Sequence, residues 1–169
     1  MLVEFWMVQR LTREVHSLEK KIVDKQIEME HFMKYSNCLG ASSNISISNL
    51  AGLSSDILPR ATIFAQYADS ASSTSAMQNL QMMKMMGRVP FTGNQTTDMQ
   101  IQMSAYSQFK QEALKALKQQ ETNILNEKEK EIKLELNTIQ LQLTSKKEQL
   151  QAYKQACKEA AKNAAPDFG

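Results

Sequence analysis

The chain has 169 residues, enough for one domain of ordinary size. Its 20 basic and 18 acidic side chains nearly balance, which argues against a nucleic-acid-binding protein built on a strongly basic surface. Five glycines and three prolines are too few for the turns of a many-stranded β fold, while 42% apolar residues are enough for a core. These numbers favour an all-α protein.

Charge divides the chain into three parts. The central 74 residues, 36–109, carry six charged side chains, whereas the 95 flanking residues carry 32. Charge-rich flanks are typical of solvated helices, and a charge-poor middle is typical of a segment that something else covers. We therefore expect a coiled-coil helix at 1–36, a Ser-, Asn- and Met-rich insert at 37–96, a long coiled-coil helix at 97–162 and a tail at 163–169.

Apolar residues of the first helix recur at alternating spacings of three and four, which is the seam of a coiled coil. Only Lys25 interrupts this seam, and it either sets the register or extends its ammonium group out of the seam. The segment 37–40 is a plausible stop because it ends in glycine. The seam residues are Val8, Leu11, Val15, Leu18, Ile22, Met29 and Phe32.

The insert is predicted to begin with an irregular connection at 37–55, with a short strand at 44–48 as an alternative. A short helix follows at 58–70, where Asp56 lies at capping distance and Pro59 suits the first turn. Its apolar stripe consists of Ile63, Phe64 and Tyr67.

A second short helix at 75–86 carries the densest group of methionines and is predicted to end at Gly87. Methionine fills cores and adaptable binding surfaces, so the group is predicted to lie in the core or in a subunit interface. A groove for hydrophobic clients is the next alternative. Copper is the least favoured, because no His or Cys lies in this stretch. The methionines are Met82, Met83, Met85 and Met86.

The second long helix is predicted to start near Asp98, as an N-cap or a first-turn acid, and to run to about Ala161. Leu134 and Leu141 lie opposite its seam at about 100° per residue, which predicts a second face that contacts other subunits. The seam residues of this helix are Leu114, Leu117, Ile132, Leu136, Ile139, Leu143, Leu150 and Tyr153.

The sequence contains no recognisable catalytic motif. Glu28 and His31 form one E-x-x-H pair, but a di-iron bundle needs two such pairs, and His16 lacks the matching carboxylate. Cys38 and Cys157 lie far apart in the sequence, so two ordinary thiols are expected ahead of a disulfide. We expect no catalytic residue, no metal, no cofactor and no enzyme activity.

The first residues lack the basic start and cleavage site of a signal peptide, and no run of about 18 apolar residues follows. A cytoplasmic protein, or one exported without a cleaved signal, is expected. Phe5 and Trp6 belong to an apolar N-terminal segment that is predicted to pack on a neighbouring subunit. Insertion of this segment into a membrane surface is the less favoured alternative.

The predicted fold is a long antiparallel helical hairpin of the two terminal helices, with a small helical insert of low charge. The first helix, with about 35 residues, is too short to cover the whole of the last helix, which has about 65. Part of the long helix must therefore pack on the insert or on other subunits. The layout resembles the axial and filament proteins of flagellar and type III secretion systems, in which terminal helices form the inner shell of the polymer. The resemblance is one of layout alone, since no motif identifies a family.

The function expected from this layout is structural. The chain would be a self-assembling helical subunit of a filament or large oligomer, in a bacterial appendage, a secretion apparatus or a virion. Its partners would be copies of itself and other assembly components, and not nucleic acid. One alternative is a coiled-coil adaptor or chaperone that holds hydrophobic clients on the Met-rich helix. Another is a membrane-active protein of translocator type.

Overall fold

Three α-helices make up the regular structure of the described chain. The computed structural model describes residues 2–41 and 50–164. These residues contain no strand and form helices of 40, 28 and 70 residues: α1 (Leu2–Ala41), α2 (Leu58–Met85) and α3 (Gln95–Ala164). The predicted all-α class, with a long first and a long last helix, is confirmed. The alternative strand at 44–48 lies outside the described residues.

The chain divides into two compact units, and α1 and α3 each contribute to both. The first unit contains Met1–Glu30 and Glu129–Gly169, and the second contains His31–Lys128. The first unit therefore joins most of α1 to the second half of α3. The second unit contains the end of α1, all of α2 and the first part of α3.

Ion pairs connect α1 to α3 within the first unit. Each pair has 2.8 Å between nitrogen and oxygen. The antiparallel hairpin stays a prediction. The pairs are Glu14–Lys146, Glu19–Lys147 and Lys25–Glu135.

Seam residues of the first unit lie on the faces that the two segments bury. Four of them are buried: Leu11, Val15, Ile132 and Leu143. The others are partly buried: Val8, Leu18, Ile22, Met29, Leu136, Ile139, Leu150 and Tyr153. The regular supercoil of a coiled coil stays a prediction.

The core of the second unit lies where the end of α1 meets the start of α2 and the middle of α3. Burial of Tyr35 and Leu39 in this core offsets the conformational cost of Gly40 in a helix. For this reason α1 continues through the stop predicted at 37–40 and ends at Ala41. The core cluster consists of Tyr35, Leu39, Leu50, Ile57, Ala61 and Leu125, with the seam residue Phe32 packed against it.

The prediction of two short helices in the insert is wrong, because α2 is continuous from Leu58 to Met85. The segment between the two predicted helices holds no glycine or proline, and carbonyls of the helix itself accept the hydroxyl groups of Ser72 and Thr74. Ser72 Oγ donates to the carbonyl of Asp69 at 3.0 Å, for example. The buried face of α2 is built mainly from small side chains, which permit close helix packing: Ala61, Ala68, Ser72, Ala76 and Leu80.

Backbone groups, rather than Asp56, satisfy the start of α2. The N-cap residue is Ile57, whose side chain makes no capping hydrogen bond. The carbonyl of Ser54 accepts hydrogen bonds from the N–H groups of Ile57, at 3.2 Å, and Leu58, at 2.9 Å. The predicted cap at Asp56 is therefore wrong, whereas the placement of Pro59 in the first turn is confirmed.

The end of α2 is the one predicted, with Gly87 just past the helix at a φ of +64°. The N–H of Arg88 donates to the carbonyl of Met83 at 3.0 Å, and the N–H of Gly87 donates to that of Lys84 at 3.1 Å. These two bonds form a Schellman motif, which requires the left-handed conformation at the glycine.

We expect Gly87→Ala to lower the free energy of unfolding by about 1 kcal/mol, because a Cβ is disfavoured at this φ. Urea denaturation of the two proteins measures the difference. Asparagine tolerates the left-handed region, so Gly87→Asn should cost clearly less. Equal losses for the two variants would contradict the assignment.

The start of α3 resolves the two roles considered for Asp98. Asn94 is the cap, since its Oδ1 accepts the N–H of Thr96 at 3.1 Å and the helix begins at Gln95. Asp98 is the first-turn acid. Its Oδ1 accepts the N–H of Thr92 at 2.8 Å and the Thr92 hydroxyl at 2.7 Å, and these hydrogen bonds lower the pKa of the Asp98 carboxyl.

Candidate interaction surfaces

A buried ionic cluster joins the three helical segments of the second unit. Glu121 of α3 accepts two hydrogen bonds from Arg60 of α2, from Nε to Oε1 at 2.8 Å and from Nη2 to Oε2 at 3.1 Å. Tyr35 of α1 donates its hydroxyl to Glu121 Oε1 at 3.2 Å. Burial, together with the negative charge of Glu121, raises the pKa of Tyr35, so the phenol stays protonated and donates.

Sequence analysis did not identify this cluster. Glu121 lies four residues after the seam residue Leu117, where an apolar side chain is expected, and Arg60 is one of three basic side chains in the charge-poor middle. Both residues were therefore unusual for their places. Their partnership spans 61 residues and depends on how α2 lies on α3. A contact between residues so far apart in the sequence cannot be recognised from the pattern of neighbouring residues.

An open groove of about 620 Å³ lies beside the ionic cluster. Its walls are mostly apolar and come from α2 and α3, with the Arg60–Glu121 pair at one side. The seam residue Leu117 contributes to it, while Leu114 is partly buried on the same helix. The lining residues are Arg60, Ile63, Phe64, Tyr67, Leu117, Gln120, Glu121 and Ile124.

Large apolar side chains lie on the exposed side of α2. Of the predicted stripe, Phe64 packs against the core, but Ile63 and Tyr67 are exposed. Small side chains fill the buried side, which leaves the larger ones outward. We define the outer face of α2 by four exposed residues: Ile63, Tyr67, Met77 and Met85.

The methionine group lies at the end of α2, largely outside the core. Met82, Met85 and Met86 are exposed, with Met85 at 83%, while Met83 is partly buried. The core alternative is therefore wrong for the single chain. A subunit interface and a client-binding groove stay predictions.

The two leucines predicted to point away from the seam are exposed in the first unit. Leu134 is 69% exposed and Leu141 is 65% exposed. Leu141 also lines an open groove of about 610 Å³ between α1 and α3. The remaining lining residues of this groove are Glu14, Ser17, Leu18, Lys21, Gln142, Ser145 and Lys146.

The aromatic side chains near the start of α1 are also exposed. Phe5 and Trp6 are each more than half exposed, and the Arg10 guanidinium lies 5.6 Å from the centre of the Trp6 ring. That distance is within the range of a cation–π contact. It holds one face of the indole against a polar side chain of its own helix.

Lys25 joins the two helices of the first unit. Its Nζ lies 2.8 Å from carboxylate oxygens of both Glu28, on its own helix, and Glu135, on α3. The hydrogen bonds to Glu135 and Glu28 raise the pKa of Lys25. A seam lysine that reaches an acid on the facing helix agrees with a role in register.

Two of the polar residues considered for metal binding, Glu28 and His16, contact charged side chains of their own helix instead. The Glu28 carboxylate pairs with Lys25, and His16 Nδ1 lies 3.3 Å from a Glu19 oxygen. Within residues 2–41 and 50–164, no group of three or more His, Cys, Asp and Glu side chains could hold a metal ion. Cys38 and Cys157 are both partly buried.

None of the helices in the described part of the chain is long and apolar enough to cross a membrane. Comparison with known proteins found no family model, no curated protein and no solved structure that matches the chain.

Proposed function

We propose that the chain is a structural, self-assembling helical subunit of a filament or large oligomer. The observation that carries the proposal is the alignment of large exposed apolar side chains on helix faces that point away from the buried ones. Leu134 and Leu141 are seven residues apart on α3, so they share one face. The outer face of α2 repeats the arrangement in the second unit.

Exposed apolar side chains that lie together on one helix face indicate a contact site more strongly than isolated ones do. Single exposed leucines are common on protein surfaces, whereas contiguous exposed patches mark contact sites. The second unit also exposes Phe91, Met99 and Met103. Contact with further copies would remove these side chains from water, and the methionine group, Phe5 and Trp6 are proposed to belong to the same subunit interfaces.

An adaptor or chaperone for hydrophobic clients is the second candidate. The open groove beside the ionic cluster and the exposed Met85 and Met86 favour it, because flexible thioethers adapt to varied partners. Sedimentation velocity and negative-stain microscopy separate the two functions. Long polymers or large discrete oligomers support self-assembly, and a dispersed monomer or dimer at every concentration overturns it.

Introducing positive charge into the leucine face, Leu134 and Leu141, tests it directly. We expect the double variant Leu134→Lys/Leu141→Lys to weaken association at least about tenfold, because each lysine must be desolvated wherever a neighbour covers it. Helicity measured by circular dichroism should stay nearly unchanged, since both positions are exposed in the single chain.

The matched control is Gln140→Lys/Gln149→Lys, which adds the same charge at exposed polar positions of the same helix. Its association should resemble that of the unchanged protein. If the leucine variant assembles at the same concentration as this control, the leucine face is not a subunit contact.

A further inference from the structure

The leucine face of α3 carries a charged residue at each end, and the two charges are opposite. Resting on the proposed self-assembly, we propose that this face pairs with the same face of a second copy, with the two α3 helices antiparallel about a two-fold axis near Thr138. The face lies on the opposite side of α3 from the buried Leu143. At about 100° per residue, four exposed residues lie within about 20° of one line along the helix: Lys130, Leu134, Leu141 and Glu148.

The positions of the two charges argue for this partner. The midpoint between Lys130 and Glu148 lies about 2 Å along the helix from the midpoint between the two leucines. One axis near Thr138 therefore serves both pairs. It brings each Lys130 within about 3 Å of the level of the second copy's Glu148, and each Leu134 within about 3 Å of the level of the second copy's Leu141. Both contacts form twice by symmetry.

The same charges argue for the antiparallel direction. A parallel pair in register would place each residue beside its own counterpart. Lys130 would then face Lys130 and Glu148 would face Glu148, which is unfavourable. Because the charged residues lie close to the centre line of the face, these like charges would meet instead of passing on opposite flanks.

Both charged groups are available for such a contact. Lys130 and Glu148 are exposed, and neither side chain makes an ion pair within the part of the chain that the structure describes. Glu127 is also exposed, but it lies about 60° around the helix from Lys130 and Glu148. It therefore provides a control acid on the same helix.

The contact is narrow, and it closes on itself. The stretch from Lys130 to Glu148 is about 27 Å long, and one helix face of this length supplies less than the roughly 800 Å² per partner of a standard interface. A two-fold contact joins only two copies. Growth into a larger oligomer then needs a second surface, such as the outer face of α2, and the two contacts reinforce each other through effective concentration.

Exchanging the two charges tests the pairing. Lys130→Glu should weaken association at least about tenfold in sedimentation velocity, because two attractive pairs become two repulsive ones, and Glu148→Lys should do the same. The double variant Lys130→Glu/Glu148→Lys should recover association to within about threefold of the unchanged protein. The two positions are about 27 Å apart on one helix, so they can compensate for each other only through a second copy.

Two controls exclude an effect of net charge. Lys130→Glu/Asp24→Lys has the same net charge as the double exchange, but its new lysine is at an exposed position of α1, so association should stay weak. Glu127→Lys changes the charge of α3 as Glu148→Lys does, and it should not weaken association. If the double exchange associates as weakly as the two single variants, the proposed ion pairs do not form and the inference is wrong.

Disulfide cross-linking tests the direction. In a background in which Cys38→Ala and Cys157→Ala remove the native thiols, Asn137→Cys lies next to the axis and should form a covalent dimer rapidly under mild oxidation. Ala152→Cys lies on the same face and is also exposed, but its counterpart would be about 42 Å away. It should cross-link at least about tenfold more slowly. Equal rates for the two variants would overturn the antiparallel pairing.

The outcomes also separate this inference from the function on which it rests. A protein that stays monomeric at all concentrations overturns both. Oligomers that Leu134→Lys/Leu141→Lys disrupts, but that Lys130→Glu leaves intact, overturn only the pairing of the leucine face with itself. That face would then contact a different surface of the second copy.

Discussion

Replacing Arg60 by alanine is expected to destabilise the second unit by about 2–3 kcal/mol, because it leaves the carboxylate of Glu121 buried with only the Tyr35 hydroxyl as a neutral donor. The Glu121 side chain is only 8% exposed, so water solvates its carboxylate poorly once the guanidinium is removed. Arg60 itself is 39% exposed, and we therefore expect less than the roughly 3–5 kcal/mol typical of a fully buried pair. Urea denaturation measures the loss.

Two controls separate the buried pair from a general effect of charge. Arg88→Ala removes an exposed arginine from the same unit and should change the free energy of unfolding by less than about 0.5 kcal/mol. The double variant Arg60→Met/Glu121→Leu removes both charges and should be more stable than Arg60→Ala, since an apolar pair needs no desolvated counter-charge. A double variant as unstable as the single one would contradict this account.

Short-range periodicity made the long helices predictable. Spacings of three and four identify the buried side of a helix within a few turns, and the residues concerned, such as Leu11 and Leu143, are buried. The end of α2 was predictable for the same reason, because Gly87 acts within one turn. The start of α2 could not be predicted in this way. The backbone carbonyl of Ser54 accepts the hydrogen bonds there, and a backbone interaction does not depend on the type of side chain.

The orientation of α2 could not be predicted from its apolar residues. Pattern rules place Ile63 and Tyr67 inward, but a helix can bury its alanines when close packing favours small side chains. The charge-poor middle was interpreted as a covered segment. In the single chain much of α2 is exposed. The interpretation therefore holds only if a partner covers this helix, and the proposed self-assembly would supply that partner.

The two parts of α3 contact their neighbouring helices through different kinds of ion pair. In the first unit, α3 faces α1 through exposed or half-exposed ion pairs such as Lys25–Glu135, which contribute little each. In the second unit, a bidentate pair on the buried Glu121 carboxylate requires Arg60 and Glu121 to meet in one geometry. We infer that this pair specifies how α2 lies on α3, and thereby which face of α2 points outward.

The second large effect is expected at Leu143 in the first unit. Leu143→Asp should lower the free energy of unfolding by about 4 kcal/mol or more, because it places an unpaired carboxylate where the leucine is only 5% exposed. Thermal unfolding followed by circular dichroism should show a markedly lower melting temperature.

Leu141→Asp is the matched control, two residues away on the same helix and 65% exposed. In dilute protein, where copies are dissociated, it should change the melting temperature little, because water still solvates the new carboxylate. At concentrations that permit assembly, Leu141→Asp should impair association although its monomer remains folded. Equal melting temperatures for the two variants in dilute solution would mean that α3 does not bury the Leu143 side against α1.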